Sequence, residues 1–244
     1  VSALKIRIKF AKEGAMKFIG HLDMMRFFQK VMRRAQVDIR YSEGFSPHQI
    51  MSFAAPLGVG VTSRAEYVDI EVLSTDSSEK MLQRLNRVLT EGVEVLSYKR
   101  LPDHAAAAMS VVAAADYTIR FREGYEPEDW PDFVRGLDEF LRQDSILVLK
   151  KTKKGERSID IRPWIYKLEK DISEDGINQL KIRVAAGSAA NLKPELVIQA
   201  YMESRGQKLE EFALLIHRDE VYANRAETGK PDFCPLEQMG ENIE

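Results

Sequence analysis

Two of the chain's four histidines fall in one stretch, residues 18–60, beside carboxylate, hydroxyl and phenol groups. His21 opens G-H-L-D-M-M-R, which also holds Asp23 and Arg26; Tyr41, Ser42, Gly44, Phe45, Ser46, Pro47 and His48 belong to Y-S-E-G-F-S-P-H. An imidazole titrates near neutrality, so His21 or His48, helped by Asp23 or Tyr41, could act as general acid and base. His21, Asp23 and His48 could also converge on a metal, but His-x-Asp is short and common, and no metal is expected. The competing reading makes His21 a hydrogen-bonded structural residue at a helix start. No nucleophile elbow, zinc-protease pattern or Walker pattern occurs. The run A-P-L-G-V-G at 55–60 has two glycines without the spacing of a phosphate cradle, and a close backbone approach is expected there.

The same stretch carries groups suited to binding. On a helix from His21 to Ala35, Met24, Phe27, Phe28, Val31, Met32 and Ala35 share one side and read as core. Arg26, Lys30 and Arg33 share the opposite side, with Arg34 beside them, and Asp23 is spaced to pair with Arg26. Such a row of cations would neutralise phosphates, or form an ordinary solvated face. Lys12, Lys17 and Arg40 add to it. Residues 1–62 hold ten Lys/Arg against four Asp/Glu, a net of +6 in a chain whose total is −2. In the loop, Gly44 permits positive φ and Pro47 holds Ser46 extended. Tyr41 and Phe45 could then stack on an unpaired base, with Ser42 and His48 beside them, or Phe45 could be buried. A second cationic cluster, Lys150, Lys151, Lys153, Lys154 and Arg157, crowds a hairpin and reads as a solvated tip or a further phosphate-contacting patch. Asp160 and Arg162 should pair or tie that hairpin to a following helix, and Trp164 is available for packing.

These groups need elements to hold them. Strands are expected at Leu4–Phe10, 37–41, 50–56, 66–73 and 93–98. Helices are expected over 21–35 and from Ser77 or Ser78 to Leu89. The order β-α-β-β-α-β is that of a ferredoxin-like split βαβ unit, spanning residues 1–100. Residues 101–115 read as a linker that could be helical in part. Residues 116–222 read as a second α+β domain of similar topology, with strands at 117–121, 146–150, 158–161, 180–185 and 212–222 and helices at 131–142 and 193–203. Residues 223–244 read as a loosely held acidic tail.

Of 244 residues, 44% are apolar and 30% charged, which suits a globular protein with a normal core. No apolar run approaches the roughly 20 residues of a membrane span, and residues 1–10 lack the apolar stretch of a secretory signal, so a cytoplasmic protein is expected. Cys234 is the one cysteine. It excludes an internal disulfide and a cluster held by three or four cysteines of this chain; no cofactor is expected, and Cys234 reads as an ordinary tail thiol.

The segments G-H-L-D-M-M-R, Y-S-E-G-F-S-P-H, S-F-A-A-P-L-G-V-G and E-Y-V-D-I-E, with I-D-I-R-P-W-I later, resemble the radical SAM-linked protein family over about residues 4–222. Ser46 departs from the Asn that such relatives commonly place before the proline. The resemblance implies a partner, a radical SAM protein, and a shared role in RNA modification. It also marks His21, Asp23, Arg26, Tyr41, Ser42, Gly44, Phe45, His48 and Glu66 as candidate functional positions. With one cysteine, this chain cannot be the radical generator. The leading expectation is an accessory RNA-binding module, contacting RNA through Arg26, Lys30, Arg33, Arg34, Arg40, Tyr41, Ser42, Phe45, His48, Lys153 and Lys154. The alternatives are a metal-independent RNA-processing or RNA-modifying enzyme using His21, His48 and Tyr41, and a scaffold that binds only protein.

Overall fold

Apolar and basic residues alternate along Leu4–Lys12, and this period of two makes a strand, β1, whose two faces have different tasks. Ile6, Ile8 and Phe10 enter a hydrophobic core, while Arg7 and Lys9 enter ion pairs with Asp69 and Glu220. The structure, a computed structural model, describes residues 3–152 and 155–244. After β1 come α1 (His21–Arg34), β2 (Met51–Phe53), β3 (Thr62–Val72), α2 (Ser78–Asn86), β4 (Val93–Arg100), α3 (Ala108–Val111) and β5 (Val112–Phe121). Then follow α4 (Trp130–Leu141), β6 (Leu147–Thr152), β7 (Gly155–Asp160), β8 (Ile165–Ile172), β9 (Asn178–Ala185), α5 (Pro194–Ser204), β10 (Leu214–Asn224) and β11 (Phe233–Pro235). Residues 1–114 and 218–244 form one unit and residues 115–217 another. No helix among the described residues is long and apolar enough to cross a membrane.

In the first unit β1 pairs antiparallel with both β3 and β4, and β2 pairs antiparallel with β3. The resulting order, β4–β1–β3–β2, is the ferredoxin-like arrangement expected from the element order. Met24, Phe28, Val31 and Met32 of α1 and Met81 and Leu85 of α2 are buried in the same core as β1. Each such fully buried side chain contributes roughly 1.5–3 kcal/mol before entropy is counted. Phe28 lies against Phe10 and Phe53, with ring centroids 4.5 and 5.8 Å away. Ser77 caps α2 by accepting from the Lys80 N–H.

Three expectations for this unit are corrected. Residues 37–41 form no strand; they make only single bridges, Ile39 to Val72 and Tyr41 to Gln49, because the loop after Arg40 folds back on itself. The segment after Leu101 is no free linker. Leu101 and Ala108 are buried, and the Ala108 N–H donates to Asp69. The C-terminal residues are no loose tail either. β11 pairs with β10, Leu236 and Cys234 are buried, and Ile243 packs on the core. Apolar burial and contacts to the cations of β1 together hold it. Glu237 meets Lys9 at 3.1 Å, and Arg7, paired with Asp69, donates to the Leu236 carbonyl. The basic face of β1 is therefore covered.

The second unit has the strand order β10–β5–β9–β8, with β10 contributing through residues 214–217, and α4 and α5 pack on its core. This is again a ferredoxin-like order, with the two-stranded hairpin β6–β7 inserted after α4. The hairpin is followed by a short 3-10 helix, Arg162–Trp164, and then by the strand β8, for which no element was expected. Its sequence I-Y-K-L-E-K-D-I shows little alternation because β8 ends the sheet and most of it is exposed. Asp160 accepts from the N–H groups of Ile146 and Arg162, and Arg162 donates to the Leu141 carbonyl, so the pair ties the hairpin to the end of α4.

Candidate nucleic-acid interface

Two backbone segments flank the start of α1, and a buried charge cluster holds both. Lys12, Glu66 and Arg218 are each at least 95% buried. The Lys12 ammonium donates to the Ile19 carbonyl at 2.6 Å, just before α1. Arg218 donates to the Ala55 carbonyl at 2.6 Å, at the head of the glycine-containing run, and to Glu66 through Nε at 3.2 Å and through its Nη2 group. Burial pushes the Lys12 ammonium below its ordinary value, Glu66 pulls it back up, and Arg218 pushes it down again. The carboxylate is therefore what allows two cations to be buried here. Glu66 stood out in the sequence only through the family resemblance. Arg218, more than 150 residues further on, gave no local signal.

The helix and the polar loop meet at one backbone atom. The carbonyl oxygen of Gln29, midway along α1, accepts from Arg33 Nε and from Gln49 Nε2, both at 3.3 Å. The same Gln49 amide reaches the Tyr41 hydroxyl at 3.4 Å. Gln49 is buried, and its Oε1 has no hydrogen-bond partner. The arrangement brings the Arg33 guanidinium and the half-exposed Tyr41 to one flank of α1. The loop closes on Ser42, whose hydroxyl accepts from the His48 N–H at 3.1 Å and lies 2.9 Å from His48 Nδ1. The Ser42 N–H donates to the His48 carbonyl at 2.8 Å. Gly44 takes φ 110°, which favours glycine, and the turn holds Phe45 wholly in solvent. The reading of Phe45 as buried is thereby set aside.

His21 and His48 are not brought together. The His21 ring packs edge-on against Phe53, with centroids 5.4 Å apart, at the first turn of α1. The His48 loop is held at Gln29, two turns further on, about 12 Å at a rise of roughly 1.5 Å per residue. Among the described residues no group of three His, Cys, Asp or Glu is placed to hold a metal. Cys234, read as a tail thiol, is buried.

The basic excess of residues 1–62 is largely used internally. Arg7 and Lys12 are buried, Lys9 is ion-paired with Glu220 and Glu237, and Lys5 donates to the Ala105 carbonyl. Arg40, a candidate phosphate contact, pairs with Glu71 at 3.0 Å and reaches Glu43 at 3.8 Å, which removes it from the free cations. Arg26 pairs with Asp23 at 3.1 Å on the exposed surface, as the spacing predicts. Lys30, Arg33 and Arg34 remain exposed on α1 without a carboxylate partner among the described residues. Lys17 sits over the Phe18 ring, 5.2 Å from its centroid. In the second cluster, Lys153 and Lys154 lie outside the described residues.

Among solved structures, the chain is similar to one described as a crystal structure of a Cbf5-Nop10-Gar1 complex. Identity is 11% and the TM-score 0.48, over 88% of this chain and 48% of that one. The chain thus spans about half the length of that neighbour. No curated protein matches. A family model covering most of the chain, residues 5–194, does match, and the chain belongs to that family, DUF2344, described as an uncharacterized protein conserved in bacteria.

Proposed function

We propose that this protein is an accessory RNA-binding module that works beside a radical SAM enzyme in RNA modification. The observation that carries the RNA reading is the junction at the Gln29 carbonyl. There an exposed guanidinium, Arg33, a half-exposed phenol, Tyr41, and a solvent-exposed ring, Phe45, belong to one helix flank and its loop. Lys30 and Arg34 follow Gln29 and Arg33 by one position each and supply further charge for phosphates. Aromatic faces beside cations are what unpaired bases and their phosphates need. The partner reading rests on the resemblance and on cysteine chemistry. A radical SAM cluster takes three thiolates, this chain has one cysteine, and that one is buried.

The test is retention of total cellular RNA by the purified chain, beside a variant carrying Arg33→Glu and Arg34→Glu. Retention by the wild type and loss by the variant, with an unchanged melting temperature, is the expected result. Equal retention by both would remove α1 from the interface. For the partner, co-purification with a radical SAM protein that survives nuclease treatment is expected, and its absence would remove that half of the proposal.

A further inference from the structure

The first unit has a second exposed aromatic site that the Tyr41 loop does not include. Phe18 is 63% exposed, and Leu22 and Val59 beside it are 61% and 64% exposed. The three belong together because the Gly60 N–H donates to the Lys17 carbonyl at 2.8 Å, which docks the glycine-containing run against the turn before α1. β2 links this end to the other. From Gln49, at the level of Gln29, the chain runs back along α1 to Phe53, which meets His21 in the helix's first turn. Among the described strands β2 pairs with β3 alone, beside the main strand path. Along one edge the chain therefore places Tyr41 and Phe45, then His21, then Phe18. Lys17 and Arg33 border it, and Lys30 and Arg34 lie further round α1. Gln29 and His21 alone are about 12 Å apart along the helix, the span of three to four base steps at roughly 3.4 Å each.

Resting on the RNA reading above, we infer that this α1–β2 edge takes a short unpaired RNA segment, with bases stacking on Tyr41 and Phe45 at one end and on Phe18 at the other. A duplex does not suit it. Paired bases already stack on each other, and A-form RNA offers proteins mainly a shallow minor groove and its phosphates. Stacking on an aromatic ring accepts any base, so the edge selects single strands rather than a sequence. The cations set beside the rings favour a polyanion over an apolar protein surface, and Lys17 over Phe18 places a positive charge at the far stacking position.

The test is fluorescence anisotropy with a labelled RNA dodecamer, free and annealed to its complement. It uses the full chain and the variants Phe18→Ala, Phe45→Ala and Arg33→Glu/Arg34→Glu. The expected result is at least about ten-fold tighter binding of the single strand, with each phenylalanine variant weakened about 5- to 150-fold. Both rings are solvent-exposed, so the variants fold. If duplex and single strand bind alike, or Phe18→Ala binds as the wild type does, the inference fails. If the arginine variant still loses binding in that case, the RNA interface on α1 stands without the stacking edge. No binding by the wild type overturns both and leaves the exposed rings to a protein partner.

Discussion

Replacing Glu66 by alanine should unfold the first unit well before it affects anything else. The side chain is 5% exposed and sits between Arg218 and Lys12, themselves 3% exposed each. Its loss leaves two buried cations facing one another without the carboxylate between them, Lys12 held to the Ile19 carbonyl and Arg218 to that of Ala55. Breaking a buried ion pair by removing one partner costs about 3–5 kcal/mol, and the second uncompensated cation places this site at the upper end. At roughly 2–4 °C per kcal/mol for a chain of this size, the melting temperature should fall by about 10–20 °C. Glu66→Gln keeps an acceptor in place and should lose less. The triple variant Lys12→Met, Glu66→Leu, Arg218→Met removes every buried charge and should recover most of the loss, since apolar replacement of a buried ionic group is often neutral or better. The assay is thermal unfolding by circular dichroism, with amide exchange followed at Gly20–Met24 and at residues 55–60. Exchange there should rise first, because Lys12 and Arg218 fix those two segments. A melting temperature for Glu66→Ala within about 2 °C of the wild type would refute this account of the cluster.

Leu236→Ala should cost about 2–5 kcal/mol in a denaturant titration, because the side chain is fully buried under β1 rather than part of a loose tail. Gly136→Ala should destabilise the second unit although alanine is the better helix former by about 1 kcal/mol, since a methyl there would collide with the Tyr201 hydroxyl, which donates to the Phe133 carbonyl at 2.8 Å. Burial pushes the Tyr98 phenol up to about 12, from an ordinary value of 10.0. Its raised folded-state value means that stability is complete below pH 10 and is lost as the pH climbs towards 12, by about 3 kcal/mol at the top of that window. Urea titrations at pH 9 and pH 11 would check the sign; equal midpoints would contradict it.

The α+β class and the βαββαβ order were legible because local periodicity carried them: L-K-I-R-I-K-F alternates and the apolar side of α1 repeats at helical spacing. What depends on distant partners was not. β8 hid because an end strand facing solvent has no apolar face to display. The C-terminal segment read as loose because its ordering groups, Glu237 and the Leu236 carbonyl, gain meaning only opposite Lys9 and Arg7. The same pairing made the net +6 of residues 1–62 a poor guide to the surface: Arg7 and Lys12 are buried, Lys9 is paired with Glu220 and Glu237, and Arg40 with Glu71. Within the candidate site, the cations of α1 and the loop aromatics could be named from sequence. The Gln29 carbonyl that joins them, through the side chains of Arg33 and Gln49, could not, because it is a main-chain atom that any residue would supply.

The salt dependence of RNA binding tests the central claim most directly. Neutralising Z phosphates on a single strand gives a slope of about −0.7Z in log K against log salt. If Lys17, Lys30, Arg33 and Arg34 each meet one phosphate, the slope should be near −3 for the wild type. It should be shallower by about 1.4 when Arg33 and Arg34 are replaced by methionine. The account predicts that change together with weaker binding and an unaltered melt; binding with the same slope in both proteins would contradict it.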